Sequence, residues 1–387
     1  MDFDLSEEQT LLKANVERLA ESLGRFANTT SRYPSRTTSD REAWSRFAEL
    51  GLLALPFSPE DGGLGGTSIE TMLVAEALGR HLCPLPYVAS IVLAGSLLRF
   101  GATAEQRRSL VPNIIDGTDI IAFAFQEPGA RYDLADVQAT AKWSGSQWEL
   151  VGHKCGVVAG DEARWIIVSA RVAGSRFDQD GIGLFLVEAG IPGLSRRSYV
   201  AQDGTRGAEI ILSNVCVAAD AKLDASTKSI SVIERAADCA QAANVAECVG
   251  LMESMLNITV LYLKTRKQFG KAIAEFQALQ HRAADMLVAL EQARSMALYA
   301  AAMVEHEKAE ERRRALAAAK IQVGESLRFI AFNAVQLHGG IGVTEECAIG
   351  PLFKRATVLG MYLGDAEHHL ARLTEAGGLA ELRTAEK

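Results

Sequence analysis

The apolar residues of this 387-residue chain change their spacing twice, and the two changes separate a helical stretch, a strand-rich stretch and a second, longer helical stretch. From Ser6 to about Asp116 apolar side chains recur at three and four residues, as in Leu11, Leu12, Val16, Leu19 and Leu23 and again in Met72, Leu73, Ala75, Ala77 and Leu78. Ser6 followed by Gln9 reads as a capping box for the first helix. Residues 56–66 are too rich in Pro and Gly to continue a helix and predict a turn.

Short β-rich runs then follow at 120–125, 148–151, 165–168, 183–187 and 209–212, separated by Gly, Asp, Ser and Asn. Helical spacing returns at 230–266, 276–305, 312–337 and 351–376. Segregated strands and helices in this order predict an α+β chain: an N-terminal α-helical domain (1–119), a middle antiparallel β domain built as a barrel or sandwich (120–225), and a C-terminal four-helix bundle (226–387).

Hydrophobic residues make up 48% of the chain and aromatic ones only 6%, enough for a large core that is mainly aliphatic. A net charge of -8 argues against a nucleic-acid partner, which needs clustered Lys and Arg in excess. The basic run Arg312, Arg313 and Arg314 follows Glu305, Glu307, Glu310 and Glu311 and reads as a solvated helix end or turn. The acidic start at residues 1–8 is unlike a signal or transit peptide, and no apolar run reads as long enough to span a bilayer. The six cysteines show no CxxC spacing, so the expectation is reduced core thiols, no metal and a cytoplasmic setting.

Two later segments carry chemistry. The first runs from Tyr262 through Arg266, Gln268, Phe269 and Gly270 to Phe276 and Gln277; the second is Gln336, Leu337, His338, Gly339, Gly340, Ile341 and Gly342. Arg266 offers a planar bidentate donor suited to a pyrophosphate, and Gly339 with Gly340 lets backbone come close to a ligand. Together, in this order and roughly 70 residues apart, they are improbable by chance.

These segments resemble the acyl-CoA dehydrogenase family over nearly the whole chain, most closely the small subunits of heteromeric bacterial members such as pimeloyl-CoA dehydrogenase. The resemblance implies that Arg266, Gln268, Phe269, Phe276, Gln277, Gln336, Leu337, Gly339 and Gly340 hold the ADP half of an FAD belonging to a neighbouring subunit. It also implies an acyl-CoA substrate, with dicarboxylyl or ring-derived thioesters as the acyl class, and an electron-transferring flavoprotein as acceptor.

Elsewhere the chain departs from the family. A Tyr-Glu-Gly-Thr run near the family's C-terminus supplies the base that removes the proton alpha to the thioester, and here it reads Tyr362, Leu363, Gly364, Asp365. Leucine accepts no proton. The family's Thr-Glu-Pro-Gly-x-Gly-Ser-Asp turn corresponds to residues 126–133, where Arg131 and Tyr132 replace Gly-Ser. Its Trp-Ile-Thr-Asn strand corresponds to Gly156, Val157, Val158 and Ala159, so an aromatic ring and a hydroxyl donor to the flavin are gone. Some relatives carry the base where this chain has Ala240 beside Gln241; Glu247 lies about 10 Å further along that helix. Asp365 is the other nearby carboxylate, at a place where its charge would repel a pyrophosphate.

Asp365 with His368 and His369 has the spacing of helical metal ligands, but a solvated helix start explains it equally, and no metal is expected. His338 reads as a packing residue. Three functions remain: a non-catalytic subunit completing the FAD site of a paralogous partner in an α2β2 assembly, a self-sufficient homomeric dehydrogenase with Glu247 or Asp365 as a displaced base, or a thioester-binding scaffold without redox chemistry.

Overall fold

The computed structural model describes residues 5–24, 38–223, 228–344 and 346–375, with 38–40 as backbone. Residues 1–4 of the acidic start, the expected boundary at 225 and the last residue of the 351–376 segment lie outside them. In chain order come α1 (Glu7–Leu23), α2 (Thr38–Glu49), α3 (Ser68–Arg80), a π-helical stretch (Tyr87–Ala94) running into α4 (Gly95–Gly101), and α5 (Ala104–Ile115). Seven strands follow: β1 (Ile121–Ala124), β2 (Thr140–Trp143), β3 (Gln147–Val158), β4 (Trp165–Arg171), β5 (Ile182–Glu188), β6 (Leu194–Val200) and β7 (Arg206–Ala218). The chain then forms α6 (Ser229–Thr265), a small hairpin of β8 (Lys267–Gln268) and β9 (Lys271–Ala272), α7 (Gln277–Met303), α8 (Ala309–His338), α9 (Ile349–Met361) and α10 (Ala366–Glu375).

By contacts the chain forms two compact units that do not follow chain order. One comprises Met1–Ser35, Ser68–Pro84 and Gln241–Lys387; the other comprises Arg36–Thr67 and Leu85–Ala240.

In the first unit α1 starts as its sequence predicts, with the Ser6 hydroxyl accepting from the Gln9 N–H and the Gln9 side chain accepting from the Ser6 N–H. Val16, Leu19 and Ala20 are buried, but Leu11 is 64% exposed and lies outside the stripe expected of it. A chain of ion pairs joins α1, α3, α6 and α7: Arg80 pairs with Glu17, Glu76 and Glu253, and Arg294 bridges Glu76 and Glu253. Helices α3 and α6 cross at backbone contact, since a Cβ at Gly79 would sit 1.9 Å from the Glu247 carbonyl oxygen and one at Gly250 equally close to that of Glu76. Only glycine fits either position.

The second unit is built on the seven-stranded sheet, ordered β1-β4-β2-β3-β7-β6 with β5 on β4. Most pairs are antiparallel as expected, but β1 lies parallel to β4 through Ile121↔Trp165 to Ala124↔Val168. Leu150, Ile166, Val168, Phe185, Ile210 and Val215 fill its core. Strand β6 escaped the sequence reading because nearly every residue in it is exposed, leaving no apolar alternation to detect.

Four expectations need correction. Helix α6 is long and apolar enough to cross a membrane by length and composition, contrary to the sequence reading; 61% of its most apolar window is buried, the state of a core helix. Arg312 is buried at 7% exposure, with its guanidinium donating to the His306 carbonyl at 2.8 Å, so the basic run is not simply solvated. Of the free cysteines, Cys83, Cys248 and Cys347 are buried, whereas Cys216 is exposed. The 351–376 segment is two helices, α9 and α10, because Leu363 and Gly364 take φ of 56° and 109°, which an α-helix cannot include.

Candidate active site and flavin edge

The two flavin-edge motifs meet in the first unit. The Tyr262 ring on α6 stacks on the His338 ring at the end of α8, with centroids 4.4 Å apart and planes at 22°. That contact joins the first residue of one motif to the middle of the other. His338 is buried, Nδ1 meets the Ala334 carbonyl at 2.8 Å, and burial lowers its pKa, so it is a neutral packing residue.

Arg266 follows α6, its backbone N–H donating to the Tyr262 carbonyl at 2.8 Å and its side chain exposed. The hairpin turn places Phe269 and Gly270 at φ of 53° and 80°, the pair of left-handed residues a tight two-residue turn requires. Phe269 is 89% exposed and meets Phe276 edge to face at 6.0 Å, while Lys271 Nζ lies 4.4 Å from the Phe276 ring centroid. Gln268, Gln277 and Gln336 are exposed, and Leu337 is buried beneath the second turn. Gly339 needs glycine for its φ of 65° and ψ of -146°. Gly340 has open space where a Cβ would stand, so the chain's own packing does not demand glycine there. An exposed guanidinium and a glycine backbone that leaves room for close approach are donor types a pyrophosphate needs.

Helix α9 ends at the turn that carries Leu363. Its two carbonyls are braced from below: Lys320 Nζ on α8 donates to Tyr362 O at 2.9 Å, and His369 Nε2 on α10 meets Leu363 O at 3.1 Å. A carbonyl only accepts, so His369 carries its proton on Nε2. Burial, then the nearby Lys320 charge, pulls His369 down to about 3, so it stays neutral. A Cβ at Gly364 would lie 2.6 Å from His369 Nε2. A leucine at positive φ costs on the order of 1 to 2 kcal/mol, and the braces hold it there.

Neither alternative carboxylate is placed as a free base. Glu247 is buried and accepts from Arg355 Nε at 3.0 Å, with a second contact from Nη2. Asp365 caps α10, its Oδ1 accepting the His368 N–H at 2.8 Å, which gives this acid a structural reason to be there. Among the described residues no cluster of His, Cys, Asp or Glu could hold a metal ion.

In the second unit the turn at 126–133 and the 156–159 strand also come together, through a Cys155 N–H to Gln126 carbonyl bond of 2.8 Å. Gly156 has φ of 66°, and a Cβ there would lie 2.8 Å from Gln126 Oε1. A tryptophan could not stand at 156 without moving Gln126. Arg131 also takes a positive φ of 50° and forms no pair with Asp133, whose Oδ1 instead accepts from the Ala135 N–H at 2.9 Å. Beneath the turn, Lys154 Nζ is fully buried and donates to Glu127 Oε1 at 2.7 Å, Ser169 Oγ at 3.1 Å and Phe125 O at 3.2 Å. This ion pair anchors the turn, in which Arg131 and Tyr132 stand where the resemblance implies Gly-Ser.

The sequence reading passed over Lys320, Asn244 and Arg355. A lone charge or amide in an aliphatic run was the available signal: Lys320 stands four residues after Leu316 and directly after Ala317, Ala318 and Ala319, and Asn244 sits among Ala242, Ala243, Val245 and Ala246.

The N-terminal, middle and C-terminal domain models of the acyl-CoA dehydrogenases match residues 6–118, 122–216 and 230–378. The probable acyl-CoA dehydrogenase YngJ of Bacillus subtilis is 30% identical over 385 residues, covering 97% of this chain and 99% of its own. A chain of the ChsE4-ChsE5 complex from Mycobacterium tuberculosis superposes with a TM-score of 0.83 at 25% identity, covering 100% of both. Butyryl-CoA dehydrogenase from Megasphaera elsdenii gives 0.85 at 25% identity, covering 96% of this chain and 98% of that one. The chain belongs to the acyl-CoA dehydrogenase family, the FAD-dependent oxidoreductases of acyl-CoA thioesters.

Proposed function

We propose that this chain is the non-catalytic subunit of a heteromeric acyl-CoA dehydrogenase and completes the FAD site of a paralogous subunit in an α2β2 assembly. One contrast carries the reading. The exposed edge of Arg266, Gln268, Phe269, Gly339 and Gly340 is retained, whereas Leu363, Gly156 and Val158 stand where the family resemblance places a base, an aromatic ring and a hydroxyl donor. Similarity to a chain of the ChsE4-ChsE5 complex supports a heteromeric assembly.

Bound FAD supplies the hydride acceptor for dehydrogenation of the saturated acyl group. Arg266 contributes two parallel N–H donors to a pyrophosphate, and the backbone at Gly339 and Gly340 admits it closely. Leu363 takes no proton, Glu247 is held by Arg355 and Asp365 by its helix, so removal of the alpha proton falls to the partner subunit. An electron-transferring flavoprotein takes the electrons onward, and the setting is cytoplasmic.

The test is expression of the chain alone and with a paralogous subunit that retains the glutamate, followed by a flavin spectrum and mass-resolved size exclusion. A colourless chain that becomes a yellow, active heterotetramer with its partner is the expected result. A yellow, active homo-oligomer would instead establish a self-sufficient dehydrogenase, and a chain colourless in every combination would be a thioester-binding scaffold.

A further inference from the structure

Helix α8 is apolar on two opposite sides. Leu327, Ile330, Ala331 and Ala334 are buried on one. On the other, Phe329 and Phe332 are 41% and 56% exposed and stand between exposed Glu325 and Gln336, at steps of four, three and four residues that make one stripe. The exposed surface is wider than this helix. The Phe332 ring meets Phe353 of α9 edge to face with centroids 5.4 Å apart, and the Arg328 guanidinium lies 6.0 Å from the Phe332 centroid. On the α7 side Gln322 Nε2 donates to Gln292 Oε1 at 3.3 Å, and one turn before Gln292 stands Val288, 57% exposed. A helix with apolar residues on both sides is covered in its working state. Aromatic rings on a convex helix surface, with an arginine among them, suit a protein partner rather than a small ligand, which needs a concave site. Glu325 in the stripe and a net charge of -8 disfavour an anionic membrane surface.

We propose that Phe329, Phe332 and Phe353 form the anchor that holds the paralogous, flavin-bearing subunit, separately from the residues that contact the flavin. The proposal deepens, and rests on, the reading of this chain as the non-catalytic subunit of a heteromer. Continuity with the flavin edge identifies the occupant. Gln336 follows Phe332 by four residues, about 6 Å along the axis, and Gly339 and Gly340 come directly after the helix. A subunit that brings its flavin to Gln336 and these glycines covers Phe332 as well. A second copy of this chain carries Gly156 and Val158 where the resemblance implies an aromatic ring and a hydroxyl donor to the flavin, so it brings none. Buried aromatic anchors carry most of an interface's affinity and the contacts around them little. Assembly and flavin retention are then served by different residues of one edge, Phe332 for the first and Arg266 for the second.

The test is analytical ultracentrifugation of the co-expressed complex, with flavin absorbance followed in the same run and substitutions made in this chain alone. Phe332→Ala raises the subunit dissociation constant about thirtyfold or more, the mark of an anchor residue. Phe329→Glu, which breaks no ring contact within the chain, does the same and keeps the test intact should Phe332→Ala disturb Phe353. Leu11→Ala, at a residue 64% exposed outside the stripe, changes nothing. Arg266→Ala loses flavin while the subunits stay together. A dissociation constant unchanged by both phenylalanine substitutions overturns the proposal and leaves the proposed function standing. Joint loss of flavin and assembly in Arg266→Ala overturns the division of roles. A homo-oligomer of this chain that the phenylalanine substitutions disperse overturns it too, because the occupant is then a second copy. A chain that joins no paralogous subunit removes the proposed function and this inference together.

Discussion

Arg355 Nε lies 3.0 Å from Glu247 Oε1, tying α9 to α6 eight residues before Leu363, and the two side chains are only 11% and 5% exposed. Removing one partner of a buried pair leaves an uncompensated charge and costs about 3 to 5 kcal/mol. Glu247→Ala is therefore expected to lower the stability of the complex by that amount in urea unfolding. Glu247→Gln keeps the volume, and turnover with a saturated acyl-CoA and an artificial electron acceptor stays within a few-fold of the unsubstituted complex. Loss of a true general base costs about a hundredfold or more, and that loss in a folded Glu247→Gln variant would identify Glu247 as the base.

Asp365 is assigned to a helix start. Asp365→Ala removes the cap on the His368 N–H and costs about 1 kcal/mol, seen as a lower denaturation midpoint, while Asp365→Asn is nearly neutral because asparagine caps as well. Turnover changes within a few-fold in both.

Arg266 is exposed on this chain and is expected to be engaged only in the assembly. Arg266→Ala leaves the chain folded and lowers flavin content of the co-expressed complex, since a charge-assisted contact is worth about 1.5 to 3 kcal/mol. The ratio of flavin to protein absorbance after gel filtration measures it; an unchanged ratio contradicts the assignment.

Much of this was legible in sequence, and the reasons are local. The Ser6 capping box, the strands at 148–151 and 165–168, and the helical spacing of α7 and α8 are short-range signals that the fold keeps. What sequence hid depends on distant partners. Nothing near Glu247 announces Arg355, 108 residues on, and nothing near Lys320 announces Asn244 or Tyr362. The break at Tyr362–Asp365 was hidden for a different reason, since a leucine at positive φ contradicts its own propensity and persists only through tertiary bracing.

Leu363→Glu restores a carboxylate at the turn and nothing else. Gly156 and Val158 still lack the aromatic ring and the hydroxyl, so this chain alone gains no dehydrogenation of a saturated acyl-CoA, read against the same acceptor. Measurable turnover by a folded, partner-free Leu363→Glu chain would show that the single missing base accounted for the loss.

Lys320 and Lys154 give the folded chain a distinctive alkaline profile. Burial pulls each amine down to about 8 from an ordinary 10.5, outweighing the Cys248 and Asp365 charges at Lys320 and the Glu127 charge at Lys154. Between pH 8 and about 10.5 the unfolded chain therefore binds more protons than the folded one, so stability rises with pH. Burial pushes the Cys83 and Cys248 thiols up to about 12 from 9, so above pH 9 they act in the opposite direction. The lysine gain is cleanest from pH 8 to 9, where each depressed amine contributes up to about 1.4 kcal/mol per pH unit. Urea unfolding at pH 7, 8 and 9 should show that rise, and Lys320→Met should make it shallower by removing one titrating group. Equal slopes for the two proteins would mean that Lys320 titrates normally and that its carbonyl contacts in the fold are made by a well-solvated amine.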